Sequence, residues 1–271
     1  MVDNLILAQS AKEAARLKGS NNKSAYLAGG TEINRLNSTV NAKTLISIGR
    51  VKELDGIREE DDSVLIGSMC TFQDIIESPL TPAYIKEACL FMGSRTKRNM
   101  ATIGGNIALR RTDSYLYATL LACAAKLTLM NKNGKTETRC VCCYLHKFEE
   151  FKDLLITEIM VPKNANVQTK RYSNTVQSHA VLTVAVGETS WCEKSSLRIA
   201  VAAKNTALTR LDDISEALEQ KELTDEEIIK NLKANKELRF KSDIYGSPEY
   251  KRYLLAVTIN DLYRKVRGGQ R

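Results

Sequence analysis

The 271-residue sequence predicts an α+β fold, and three observations carry that prediction. Short apolar runs bounded by turn residues alternate with short amphipathic helices as far as Pro162. A polar, proline-led stretch, Pro162-Lys163-Asn164-Ala165-Asn166, then separates two patterned halves, which places a domain boundary between residues 1–163 and 164–271. Beyond the boundary strands come first and helices follow.

Taken in order, Ser10 with Glu13 reads as a capping box that opens a helix through Leu17, and Gly19 ends it. Ala25 to Ala28 reads as a strand running into Gly29-Gly30, and Thr31 is placed to cap a helix from Glu32 to Leu36. Thr44 to Ile48 is a strand, and a hairpin around Arg58 to Asp62 leads into Val64-Leu65-Ile66-Gly67. Thr81-Pro82 starts a helix with apolar positions Ile85, Ala88, Cys89 and Met92, closed by Gly93; Ser94 to Asn99 is its polar exit. Asp113 or Ser114 can cap a helix through Ala124, Lys126 to Met130 is a strand, and Asn131 to Gly134 a hairpin turn. A further strand leads to Leu154 to Val161. In the second half Ala180 to Val186 and Leu197 to Ala203 read as strands. Helices follow at Asp212 to Leu218, at Asp225 to Lys233 behind Thr224 and Glu227, and from Pro248 behind Ser247.

Composition bounds the function. A hydrophobic content of 43% with 27% charged residues is that of a soluble globular protein. No run of about 18 apolar residues is present, so no membrane role is expected, and the start Met1-Val2-Asp3-Asn4 lacks the features of a signal peptide. The expected location is cytoplasmic. Seven cysteines at irregular spacing argue against a disulfide framework. Cys140-Val141-Cys142-Cys143 with His146 invites a metal reading, but on an extended segment Cys142 and Cys143 point to opposite faces, and no metal site is expected. The net charge of +8 suggests nucleic acid at first sight. With 6% aromatic residues, no long basic stretch beyond Arg95 to Arg98 and Arg264 to Arg271, and no recognisable motif, no nucleic-acid partner is expected; a basic balance also suits a pyrophosphate and acidic partner subunits.

Two glycine-rich segments carry the chemistry: Leu27-Ala28-Gly29-Gly30-Thr31-Glu32 and Thr102-Ile103-Gly104-Gly105-Asn106. A Gly-Gly pair lets bare peptide units approach a ligand that a Cβ would push away, and amides freed in such loops suit a phosphate. Two such loops could close on one dinucleotide. Neither is the G-x-G-x-x-G of a Rossmann fold.

These segments resemble the paired FAD-binding motifs, A-G-G-T-[DE] and [TS]-I-G-G-N-[IL], of the flavoprotein subunits of molybdenum hydroxylases, the family of the xanthine dehydrogenase and carbon monoxide dehydrogenase FAD-binding subunits. Ala118 to Met130 and Leu154 to Pro162 resemble further segments of that family in the same order, and the short bacterial xanthine dehydrogenase-like and selenate reductase-like medium subunits are the nearest form. The resemblance implies a two-lobed FAD-binding domain of the PCMH type over residues 1–163 and a small α+β C-terminal domain over 164–271. It implies that Leu27, Ala28, Gly29, Gly30, Thr31, Glu32 and Ile33 hold the FAD diphosphate, and that Thr102, Ile103, Gly104, Gly105 and Asn106 also meet the cofactor. Ile156 aligns with an apolar residue that packs on the flavin. Lys170 aligns with a lysine near it, where a cation would favour reduced, anionic flavin; a solvent lysine beside Arg171 is the alternative.

Many relatives continue with A-S-P-x-x-D, whose aspartate helps to fix the nucleotide, whereas this chain reads Leu109-Arg110-Arg111-Thr112-Asp113-Ser114-Tyr115. Tyr115 takes the aspartate's place, Asp113 reads as a helix cap, and Arg110 and Arg111 could neutralise phosphate or meet a partner. His179 reads as structural. Some relatives hold an extra iron-sulfur cluster in an inserted loop, and no such insertion lies between Ala108 and Leu129.

The activity implied is that of an oxidoreductase subunit that relays electrons through FAD, with no catalytic side chain of its own. A molybdopterin-binding large subunit and a small subunit with two-iron clusters would be its partners, and NAD or another carrier the acceptor. A non-catalytic assembly subunit with a decayed FAD site, and a self-sufficient flavin oxidase, are the alternatives.

Overall fold

The computed structural model describes residues 2–35, 38, 40–191 and 196–268. Leu36 at the expected helix end, Cys192, and the last three residues of the C-terminal basic cluster lie outside them.

The chain forms two compact units, and it passes between them more than once. The first comprises Met1–Thr81, Ser94–Leu109 and Ala125–Val161; the second comprises Pro82–Gly93, Arg110–Ala124 and Pro162–Arg271.

The first unit opens with β1 (Asn4–Leu7), α1 (Ala11–Gly19), β2 (Ser24–Leu27) and β3 (Thr44–Ser47), and its strands form a parallel sheet in the order β1-β3-β2. Ser10 caps α1 by accepting from the Glu13 amide at 3.1 Å, while the Glu13 carboxylate accepts from Gln9 rather than from Ser10, so the expected reciprocal box is shifted by one residue. The helix buries Ala11, Ala14 and Ala15 with Ile46, Ile48 and Leu54, because small side chains let the two layers approach closely.

β4 (Ile57–Glu60) and β5 (Ser63–Gly67) make the expected hairpin. With β6 (Lys126–Met130), β7 (Thr136–Cys140) and β8 (Leu155–Pro162) they form a sheet in the order β4-β5-β8-β6-β7. Short helices complete the unit: α2 (Phe72–Glu77), α4 (Arg95–Arg98), α5 (Ile103–Leu109), α7 (Val141–His146) and α8 (Phe148–Phe151).

The second unit holds α3 (Ala83–Leu90) and α6 (Tyr117–Ala122) together with an antiparallel sheet of β9 (Asn166–Tyr172), β10 (Leu182–Thr189), β11 (Ser196–Ala203) and β12 (Ala207–Arg210), in the order β12-β11-β10-β9. Alternation sorts its two faces. Leu182, Val184 and Val186 of β10 and Ile199 and Val201 of β11 bury against α9 (Asp212–Gln220), α10 (Asp225–Ala234) and α11 (Pro248–Gly268), each such side chain contributing roughly 1.5–3 kcal/mol. The opposite face presents Ala185, Gly187, Ala200 and Ala202, and there α6 lies so close that a Cβ on Gly187 would stand 2.6 Å from the Ala122 carbonyl oxygen. Burial on both faces explains why β10 reads as an apolar run from Leu182 to Gly187 broken only by the buried Thr183.

The architecture is α+β, as predicted. Three strands are additions: β1 precedes the first expected element, β9 begins at the last residue of the polar stretch that reads as a linker, and β12 has only four residues. The Thr224–Glu227 capping box forms as expected, with both reciprocal bonds in place.

Candidate cofactor site

The second glycine motif is not a loop. It is the first turn of α5, seated on the segment that follows β5. Phe72 donates to the Ala101 carbonyl at 2.9 Å, Ile103 to the Cys70 carbonyl at 3.0 Å and Gly104 to the Ser68 carbonyl at 2.9 Å. Thr102, itself buried, accepts from the Gly105 amide through Oγ1 at 3.2 Å, and Asn106 donates to the Thr102 carbonyl at 3.0 Å. The amides of Ile103 to Asn106 are therefore all spent on protein. This corrects the expectation that this motif frees amides for a phosphate; a helix start satisfies its orphan donors with whatever acceptors are nearest, and here these belong to the chain.

The first motif behaves differently. Residues 31–34 form a single turn rather than the expected helix, with Asn34 donating to Gly30 and Arg35 to Glu32 at 3.1 Å each. One turn fixes several dihedrals for one or two bonds. Glu32 is buried and paired with Arg35 at 2.9 Å. Among the described residues, the amides of Gly29, Gly30, Thr31 and Ile33 donate to no protein acceptor. Four donors within five residues, beside a turn with a left-handed glycine at Gly30 (φ 69°), are the chemistry an anion requires.

The four glycines of the two motifs serve different ends. A Cβ on Gly29 would lie 1.6 Å from the Met100 carbonyl oxygen, so this glycine lets the first motif pack backbone to backbone on the segment just ahead of the second. Gly104 is also held against Ser68, where a Cβ would lie 2.7 Å from the Ser68 Cβ and 2.8 Å from its carbonyl oxygen. Gly30 is required by its backbone conformation. Gly105 has no backbone pressed against it: a Cβ there would stand 2.9 Å from the Thr102 hydroxyl, which would have to give way, and 3.9 Å from the Ala28 methyl. The joined motifs thus present a bare surface at Gly105 and Ala28 beside the donor run, and a diphosphate fits this arrangement.

Ile156 is buried on β8 opposite Leu129 of β6. Lys170 belongs to the second unit; it is exposed on β9, with its ammonium 5.4 Å from the Tyr172 ring centroid.

In the same second unit, the segment that departs from the family pattern forms a charged cluster that the sequence did not announce. Asp113 is not the cap of α6: Ser114 Oγ takes the amides of Leu116 and Tyr117, at 3.3 and 3.4 Å. Asp113 instead accepts two bonds from Arg111 at 2.8 Å each, and His179 Nδ1 stands 3.6 Å from Oδ2, one of the two oxygens so engaged. Burial alone would raise the Asp113 pKa, but the Arg111 hydrogen bonds and charge, with His179, hold it below the ordinary aspartate value. The Tyr115 ring stacks on His179 at 6.0 Å and carries the Arg171 guanidinium at 5.2 Å. An Arg-x-Asp spacing that allows a bidentate pair was the available signal; the contribution of His179 and Arg171, over 50 positions away in sequence, was not visible.

The fold and the motif geometry together define an FAD-binding subunit of the molybdenum hydroxylase type. The chain belongs to that family, since residues 2–164 match the FAD binding domain in molybdopterin dehydrogenase. FAD is accordingly its cofactor.

Among its relatives, the uncharacterized protein YgfM of Escherichia coli K12 is 29% identical over 269 residues, covering 97% of this chain and 96% of its own. The putative xanthine dehydrogenase FAD-binding subunit XdhB of the same organism is 33% identical over 128 residues, 45% of this chain and 44% of its own. Carbon monoxide dehydrogenase of Hydrogenophaga pseudoflava is met twice. Its medium chain is 38% identical over 94 residues, 34% of this chain and 33% of its own. A chain of its solved structure superposes with a TM-score of 0.82 at 24% identity, covering 99% of this chain and 98% of that one, which establishes a common fold.

Proposed function

We propose that this chain is the electron-transfer subunit of a multi-subunit molybdenum hydroxylase, working beside a molybdopterin-binding large subunit and a small subunit with two-iron clusters, with NAD as the final acceptor. The observation that carries the reading is the donor run at Gly29, Gly30, Thr31 and Ile33, packed through Gly29 on the Met100 backbone just ahead of the second motif. The relatives named as a medium chain and as an FAD-binding subunit support the assignment to a complex.

When bound, FAD supplies the exchange between single electrons and a hydride. The chain's part is to bind and orient it. The four amides hold the diphosphate, Gly105 leaves room for it, and Thr102 fixes the turn on which Gly105 stands. Ile156 and Lys170 enter the proposal through the family resemblance, Lys170 as a cation for the flavin end.

The test is anaerobic reduction of the flavin in the purified chain. NADH should bleach it, because hydride transfer is reversible, and a hydroxylatable heterocycle should do so only after the partner subunits are added. Direct bleaching by the heterocycle would overturn the relay reading, and failure of NADH would replace NAD by another carrier.

A further inference from the structure

Cys140-Val141-Cys142-Cys143 sits where β7, an edge strand of the five-stranded sheet, gives way to α7. The extended conformation expected for the whole segment ends at Cys140, whose φ of −66° and ψ of 148° turn the chain into the helix. Its sulfur accepts from the Cys143 amide at 3.0 Å, as a serine would at a helix start. That bond brings the Cys140 sulfur over the first helical turn, beside the backbone from which the Cys143 side chain emerges.

Residues three apart on a helical turn are neighbours, with Cβ atoms about 5–6 Å apart, and a disulfide spans roughly 4.4–6.8 Å between Cα atoms. Rotation about the Cα–Cβ bond of Cys143 is then enough to bring the sulfurs together. Cys142 is one position earlier, about 100° around the helix, and does not share that face.

Exposure singles out the same place. Cys143 is exposed and Cys140 and Cys142 are half-buried, whereas Cys70, Cys89 and Cys123 are buried. Burial and the neighbouring Asp55 push the Cys70 thiol up to about 12, which keeps it protonated and inert.

We propose that Cys140 and Cys143 form a redox-active dithiol that is oxidised to an intrachain disulfide by a small-molecule disulfide such as oxidised glutathione. The exposed Cys143 thiolate attacks the incoming disulfide, forming a mixed disulfide and releasing one small thiolate. The Cys140 thiolate then attacks Cys143 Sγ, the mixed disulfide breaks, and the second small thiolate leaves. Two protons pass from the cysteines to the two leaving thiolates, so one dithiol is oxidised and one small disulfide reduced to two thiols. The product ties the end of β7 to the first turn of α7.

The test equilibrates the full FAD-loaded chain with glutathione mixtures from reducing to oxidising, traps thiols by alkylation, and reads intact mass and peptide maps. In the wild type and in Cys142→Ser, alkylation of Cys140 and Cys143 should be lost together, with a mass lower by two hydrogens and no lasting glutathione adduct. Cys140→Ser, which keeps a capping oxygen, should instead accumulate glutathione on Cys143. A persistent adduct on wild-type Cys143, continued alkylation of Cys140 under full oxidation, or a disulfide that requires Cys142 would each overturn the proposal.

Discussion

Replacing Gly29 by alanine places a methyl carbon 1.6 Å from the Met100 carbonyl oxygen and 2.7 Å from its carbon. Ordinary contact lies near 3.5 Å, so the first motif and the Met100 backbone must part by about 2 Å. No rotamer relieves this, because the obstructing atoms are backbone. Overpacking that side chains can absorb costs about 1–3 kcal/mol, and this case belongs at the top of that range or beyond, about 3 kcal/mol. At about 2–4 °C per kcal/mol for a chain of this size, Tm should fall by about 6–12 °C. Thermal unfolding of the FAD-free chain, followed by far-ultraviolet circular dichroism, reads it directly. Gly105→Ala is the matched comparison: its methyl would stand 2.9 Å from the Thr102 hydroxyl and displace it from the Gly105 amide at about 1 kcal/mol, which the better helix propensity of alanine, up to about 1 kcal/mol, offsets. Its Tm should stay within about 3 °C of wild type, while FAD affinity falls at least about tenfold, or ~1.4 kcal/mol. A Gly29→Ala protein that melts with the wild type would refute the backbone contact between the first motif and Met100. A Gly105→Ala protein that binds FAD normally would remove the cofactor from that surface.

Thr102→Ala removes the acceptor for the Gly105 amide and should cost about 1 kcal/mol, read by urea unfolding, with Thr102→Ser restoring most of it. Arg111→Ala leaves the Asp113 carboxylate buried without its bidentate partner and should destabilise the chain by about 1–3 kcal/mol at pH 7. Because the folded-state pKa of Asp113 is depressed, the wild-type contribution is present above the unfolded value near 3.9 and is lost as pH falls through the lower folded value. Without Arg111 burial dominates and Asp113 takes up its proton at higher pH, so the Tm gap between the two proteins should narrow between pH 7 and pH 4; a gap constant with pH would contradict this account.

The periodic helices were legible because each carries its own punctuation: Thr224 with Glu227, Ser247-Pro248, and Thr81-Pro82 with Ile85, Ala88, Cys89 and Met92 on one face. β9 was hidden by Gln168, Thr169, Lys170 and Arg171, polar residues that pair with β10 through backbone bonds which leave no mark on composition. The glycine motifs were legible as a cofactor site but not as parts with separate duties. Sequence cannot tell a glycine needed for contact with Met100 or Ser68 from one that faces a ligand, because the obstructing atoms are distant in the chain. The same holds for the amides: those of the second motif looked available and are taken by Ser68, Cys70 and Thr102, while those of Gly29, Gly30, Thr31 and Ile33 remain open among the described residues. Gly30→Val, an obvious probe from sequence, would test the left-handed turn instead of the cofactor, since φ is 69° there.

The most direct measurement is the flavin content of the purified chain. Acid denaturation should release about one FAD per chain into the supernatant, because neither glycine motif contains a histidine or cysteine able to form a covalent flavin link. Titration of the stripped protein should quench added FAD fluorescence to the same stoichiometry. A colourless chain that leaves FAD fluorescence unquenched, while retaining the wild-type circular dichroism spectrum, would contradict the claim that the joined motifs hold the cofactor.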